Sequence, residues 1–161
     1  MSWDDEKQRA KRDTRPADLV TQLHRHRSVV VLPDGTPCVA CSFEAADPYG
    51  RDEEPDFGLY FDQRWKPPWA HDRVEWPDLG LPANAAELVA GLRSVLDRAR
   101  AGERVEVGCL GGHGRTGTAL AVLAVLTGQA DSEAVEWVRA TYCAKAIETT
   151  EQERFVIGFI G

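Results

Sequence analysis

The chain predicts an α/β fold, and three observations carry that expectation. A short β-type run, Arg104 to Val107, passes through a glycine-rich stretch into an apolar run from Thr118 to Thr127, which reads as strand, loop and helix. Upstream, two runs of β-branched and apolar residues flank Pro33-Asp34-Gly35, a turn sequence suited to a hairpin. Between these features Ala85 to Ala101 repeats its apolar residues at helical spacing and stops at Gly102.

The elements then follow in order. Met1 to Arg15 is charged and mixed in sign, and is expected to be a flexible arm or a frayed helix. Residues 16–161 are expected to form one domain, with Pro16 opening a short helix that runs through about His26. Ser28 to Leu32 and Cys38 to Phe43 are the hairpin strands, and Glu44 to Asp56 is an acidic loop without periodicity. Gly58 to Phe61 and Arg73 to Trp76 are expected as short strands, the second leading into Trp76-Pro77-Asp78. Beyond the apolar helix Gly128 provides a stop, and Ser132 to Tyr142 and Thr150 to Ile160 are expected as helices.

Chemistry concentrates in Gly108-Cys109-Leu110-Gly111-Gly112-His113-Gly114-Arg115-Thr116-Gly117. A strand feeding a glycine-rich turn and a helix points successive backbone N–H groups, and the positive end of the helix dipole, into one concavity. Such a nest takes a tetrahedral dianion. Leu110, Gly111, Gly112, His113, Gly114 and Arg115 are expected to bind it, with Arg115 adding a planar fork onto two oxygens. Gly111, Gly112 and Gly114 are read as positions of positive φ. Cys109 at the floor sits in a field that favours thiolate over thiol, which makes it a nucleophile, and Thr116 can donate its hydroxyl to the sulfur. His113 is expected at the rim, facing substrate.

A second motif, Trp76-Pro77-Asp78-Leu79-Gly80-Leu81-Pro82, carries a carboxylate on a segment stiffened by two prolines and hinged at Gly80. Transfer of a phosphoryl group to Cys109 leaves an oxygen that needs a proton, and Asp78 can supply it.

Together the two motifs resemble the cysteine-dependent protein tyrosine phosphatase superfamily, in which a C-x5-R-[S/T] loop follows a W-P-D loop bearing the general acid. The resemblance implies a central mixed, mainly parallel sheet flanked by helices. It also implies a phosphomonoester hydrolase of the protein tyrosine or dual-specificity kind, working through phosphocysteine with no metal or other cofactor. A third segment, Ala146-Ile147-Glu148-Thr149-Thr150-Glu151-Gln152, resembles the E-T-x-x-Q region of the superfamily, where the glutamine places the hydrolytic water; Gln152 is the matching residue. Thr149 and Gln152 also have the spacing of a capping box. The chain departs from the pattern at Gly108, where most members have a histidine that helps keep the cysteine ionised. That departure supports one alternative, a phosphate-binding module without turnover; the second alternative is a sulfurtransferase or arsenate reductase using Cys109 as a redox nucleophile. The W-P-D loop argues against the second.

Composition narrows the partners. The 161 residues are 43% hydrophobic and 28% charged, which suits a globular chain. A net charge of −7 lacks the broad basic surface expected for nucleic acid or an anionic membrane, so the expected partner is a phosphorylated protein or a small phosphomonoester. No apolar run is long enough to span a bilayer, and the start of the chain lacks a basic-then-apolar export pattern, so a cytoplasmic location is expected. Trp65, Lys66, Pro67, Pro68, Trp69 and His71 form a cluster whose aromatics either line the pocket rim or cover the sheet. Cys38 and Cys41 fall on a strand and are read as packing residues.

Overall fold

The computed structural model describes residues 27–42 and 53–159. The expected arm, the helix from Pro16, and most of the acidic loop lie outside them. Five strands form one sheet in the order β1-β2-β5-β3-β4: β1 (Arg27–Val31), β2 (Pro37–Ser42), β3 (Phe57–Tyr60), β4 (His71–Arg73) and β5 (Val105–Cys109). Only β1 runs antiparallel to its neighbour; β2, β3 and β5 pair in parallel, as do β3 and β4. The mixed, mainly parallel sheet with flanking helices is therefore as expected. Helices α1 (Ala85–Arg100), α2 (Gly114–Leu126), α3 (Ala134–Thr141) and α4 (Thr150–Ile157) complete the described order, with a 3₁₀ turn over Asp131–Glu133.

Local chemistry accounts for the element ends. In the hairpin Asp34 Oδ1 accepts from Thr36 N at 3.0 Å, and Gly35 takes φ of 92°. Helix α1 begins at Asn84, whose side chain accepts from Glu87 N at 3.1 Å, and ends at Gly102 with φ of 94°. Its buried Leu88, Leu92, Val95, Leu96 and Ala99 make one stripe against the sheet. Gly128, with φ of 120°, follows α2 as expected.

Several expected boundaries move, among them the last helix, which ends at Ile157 and not Ile160. The strand read over Arg73 to Trp76 lies at His71–Arg73 instead: its pairing to β3 ends as Val74 N donates to Tyr60 O at 2.9 Å, and the chain then turns into the acid loop. The strand read as ending at Val107 continues to Cys109, and the helix read from Thr118 starts at Gly114. Every residue of α2 from Gly114 to Ala124 is buried.

The two faces of the sheet bury different chemistry, because strand side chains alternate. Cys38, Ala40, Leu59, Val105, Val107 and Cys109 join α1 and α2 in the main core. On the opposite face Tyr60, Trp65, Trp69 and Cys41 form a second cluster. There the Tyr60 hydroxyl donates to Glu106 Oε1 and accepts from Trp69 Nε1, each at 2.8 Å. Gly58 permits this, since a Cβ at that position would overlap the Tyr60 hydroxyl. Trp65 and Trp69 thus cover the sheet. Cys38 and Cys41 point to opposite faces, and burial pushes the Cys38 thiol up to about 12.

Candidate active site

Cys109 is the last residue of β5 and Gly114 the first of α2, so Leu110 to His113 turns the chain from sheet to helix in four residues. Of the loop glycines only Gly112 takes positive φ, 75°. Gly114 is required for another reason. A Cβ there would overlap the Glu148 carboxylate and stand 3.3 Å from Gln152 Oε1. One turn further, a Cβ on Gly117 would meet Ala146 Cβ at 2.8 Å and Ile147 N at 2.9 Å. These glycines serve close approach: the 146–148 segment lies directly on the first turn of α2, and Ile147 N donates to His113 O at 3.0 Å.

The sulfur is buried within this turn, Cys109 being 2% exposed. Its Sγ accepts from Thr116 Oγ1 at 3.0 Å and from Gly112 N at 3.3 Å. Both donors stabilise negative charge on sulfur more than they would a neutral thiol. From the other side Tyr142 Oη donates to Gly112 O at 2.7 Å and fixes the turn. Burial raises the Tyr142 phenol, with Cys109 a lesser cause, so it remains a donor.

Arg115 is 5% exposed and its guanidinium is split between two tasks. Nη1 donates to Phe61 O at 2.8 Å and to Trp76 O at 3.1 Å, tying α2 to the end of β3 and to the acid loop. Nη2 lies 3.8 Å from Asp78 Oδ1. Nε is buried and finds no hydrogen-bond partner among the described residues. A buried, orphaned donor on a guanidinium is expensive unless a ligand completes it. The Nε–Nη2 edge is the edge that grips two oxygens of an oxyanion.

Asp78 projects from a compact loop. Ala83 N donates to Glu75 O and Gly80 N to Pro77 O, both at 3.0 Å, and Trp76 Nε1 donates to Gly80 O at 2.8 Å. Trp76 packs edge-on to Phe61 at 5.1 Å. The left-handed position in this loop is Leu79, with φ of 63°, and not Gly80.

A hollow of about 320 Å³ is lined by Cys109, Leu110, Gly111, His113, Gly114, Arg115 and Asp78, together with Leu79, Lys145 and Glu148. The structure thus gathers the expected thiol, guanidinium, carboxylate and loop in one place. Thr116 and Gly112 are set behind it and reach it through the sulfur. Gln152 is not in the lining. It is fully buried, with Oε1 accepting from Glu148 N at 2.9 Å and Nε2 donating to Gly80 O at 3.0 Å. Thr149 caps α4 by accepting from Gln152 N at 3.1 Å, which makes one half of the capping box. Sequence reasoning missed Lys145, Glu148 and Leu79 as lining residues. Their signal was only adjacency to the E-T-x-x-Q and W-P-D segments. It also missed Tyr142, which carried none.

Gly108 stands between Cys41 and Tyr60 in the sheet, on the face those two fully buried side chains share. A tyrosine–tryptophan–glutamate cluster therefore occupies the face on which the family's usual histidine would project. Among the described residues no three His, Cys, Asp or Glu side chains gather as metal ligands would. No described helix is long and apolar enough to cross a membrane.

The family model described as protein-tyrosine phosphatase matches residues 66–156, more than half of the chain. Two uncharacterized proteins of Methanocaldococcus jannaschii are 51% identical over 59 residues and 53% identical over 58 residues. Those segments cover 37% and 36% of this chain and only 39% and 35% of the relatives' own lengths. Among solved structures, kinase associated phosphatase, in a form whose catalytic-site cysteine is replaced by serine, superposes with a TM-score of 0.66 at 15% identity, over 84% of this chain and 93% of its own. The protein tyrosine phosphatase of Trypanosoma cruzi reaches the same TM-score at 16% identity, over 90% and 73%. At these identities the likeness is one of fold.

Proposed function

The chain belongs to the protein-tyrosine phosphatase family, and on that premise we propose that it is a phosphomonoester hydrolase working through a phosphocysteine intermediate. The observation that carries the reading is the orphaned Arg115 Nε, buried beside a hollow that also holds the Cys109 sulfur and the Asp78 carboxyl. In this reading the Cys109 thiolate attacks phosphorus in line, forming the S–P bond as the ester P–O bond breaks. Asp78, protonated, gives its proton to the departing oxygen. Arg115 and the amides of Leu110 to Arg115 hold the equatorial oxygens. Water then attacks phosphorus, Asp78 takes the water's proton, and the sulfur leaves as thiolate toward Thr116 Oγ1. No step is routed through a metal.

The substrate we favour is an aryl phosphate of the phosphotyrosine kind. Exposed Leu79 and Leu110 give the mouth apolar walls; of the lining charges Glu148 offsets Lys145, and a net charge of −7 opposes a second phosphate. A phosphorylated protein or a small phosphomonoester would fit; a nucleic acid or an anionic membrane would not.

Hydrolysis of 4-nitrophenyl phosphate in the presence of chelator, abolished in Cys109→Ser and blocked by vanadate, is the expected result. A Cys109→Ser variant that retains the wild-type rate overturns the reading. Vanadate binding without turnover by the wild-type protein assigns it instead to phosphate recognition.

A further inference from the structure

The Gly80 carbonyl receives two side-chain donors, Trp76 Nε1 at 2.8 Å from within the acid loop and Gln152 Nε2 at 3.0 Å from α4. The second is the long-range one, joining residues 72 apart in sequence. Its orientation is fixed by its partners. Glu148 N–H needs an acceptor and Gly80 C=O needs a donor, so a flipped amide would set donor against donor and acceptor against acceptor. Both ends of the Gln152 amide are thus committed, in a side chain with no exposure and no place in the lining of the hollow.

We propose that Gln152 is a positioning residue that latches the acid loop over the site by holding the Gly80 carbonyl. Leu79, between Asp78 and Gly80, takes φ of 63°, a conformation leucine adopts only when its surroundings impose it. The bond to Gly80 pins the chain on the far side of Leu79, and Arg115 Nη1 pins it before Asp78 through Trp76 O. The Asp78 side chain is 67% exposed and its nearest cation among the described residues is 3.8 Å away, so its carboxyl is placed by the loop backbone more than by its own contacts. Since Gln152 Oε1 also accepts from Glu148 N, the same amide joins the acid loop to a second residue that lines the hollow.

The inference rests on Asp78 being the general acid, and leaving-group dependence separates the two claims. kcat/KM covers only the steps through cleavage of the ester bond, before water attacks. It would be measured for aryl phosphates from 2,4-dinitrophenyl to unsubstituted phenyl, with wild type, Gln152→Glu, Gln152→Leu and Asp78→Asn. Gln152→Glu keeps an acceptor for Glu148 N but loses the donor to Gly80, so it tests the latch even where Gln152→Leu does not fold. The latch predicts that both variants lose about 10- to 100-fold on phenyl phosphate and little on the dinitrophenyl ester, which needs no acid. Wild-type kcat/KM across the series with a lowered kcat makes Gln152 a water-positioning residue and overturns the latch. A uniform loss across the series also overturns it, as damage to the oxyanion cradle. If Asp78→Asn itself shows no leaving-group dependence, the acid assignment fails and the latch with it.

Discussion

Thr116 Oγ1 donates to Cys109 Sγ at 3.0 Å across seven residues, from the first turn of α2 back to the end of β5. Thr116 is fully buried, so no water competes for that bond. The hydroxyl is placed to hold charge on the sulfur, and the step in which sulfur leaves phosphorus needs that most. Thr116→Ala is expected to reduce kcat about 10- to 100-fold, the loss of one hydrogen bond to a charged group. The size of the pre-steady-state burst should rise relative to the turnover rate. A kcat within a factor of two of wild type would mean that the bond has no role in turnover.

Arg115 is asked to do two things with one planar group. Nη1 braces Phe61 O and Trp76 O, while Nη2 lies 3.8 Å from Asp78 Oδ1 and Nε is left without a partner among the described residues. A lysine ammonium is a single point and cannot do both. Arg115→Lys should therefore lower kcat/KM by about 10²- to 10³-fold and weaken vanadate binding with it. Thermal melting should fall as well, since two carbonyls lose a donor. Retained activity with retained stability would refute the division of labour.

Gly117 leads to a prediction about stability alone. Its missing Cβ would meet Ala146 Cβ at 2.8 Å and Ile147 N at 2.9 Å, and neither of these is a flexible tip. Ile147 has φ of 67° and donates to His113 O, so this segment has little freedom to retreat. Gly117→Ala is expected to destabilise by about 1–3 kcal/mol by overpacking, read by urea denaturation, even though alanine is the better helix former. An increase in stability would show that the segment can yield.

The same glycines explain where the sequence was legible and where it was not. Cys109, Arg115 and Asp78 were visible because they fall in two compact motifs, and all three line one hollow; the glycine-rich composition correctly marked the turn between strand and helix. Composition could not say that Gly114 and Gly117 belong to the helix: their low helix propensity argued for loop, but tertiary contact with Glu148 and Ala146 decides. Trp65 and Trp69 were open between rim and sheet cover, because an aromatic run does not announce which face its neighbours bury. The strand expected to enter the acid loop lies at His71–Arg73, set by pairing with β3, a partner no local pattern names. Glu148 was visible as part of a motif, but its place at the hollow depends on the fold of the 143–149 turn. Residues 1–26, 43–52 and 160–161 lie outside the described structure, so the readings made there stand as expectations.

The hairpin offers a test of pH dependence away from the site. Arg100 Nη2 lies 2.7 Å from Asp34 Oδ2, and Thr36 N donates to Asp34 Oδ1. Chiefly through Arg100, these bonds hold the Asp34 carboxyl down from the ordinary 3.8 to about 2. A carboxylate depressed in the folded state adds stability above its unfolded value and loses it as pH falls through the folded one. The Asp34 contribution should thus be whole at neutral pH, decline as pH falls below about 3.8 and be gone only below about 2. Asp34→Asn keeps an acceptor for Thr36 N and removes the charge, so its melting temperature should lie below wild type at neutral pH and converge with it in acid. The pair is exposed to solvent, so the gap should be small and should shrink in high salt. A gap that persists below pH 2, or that salt leaves unchanged, would assign the stability to turn geometry and not to the ion pair.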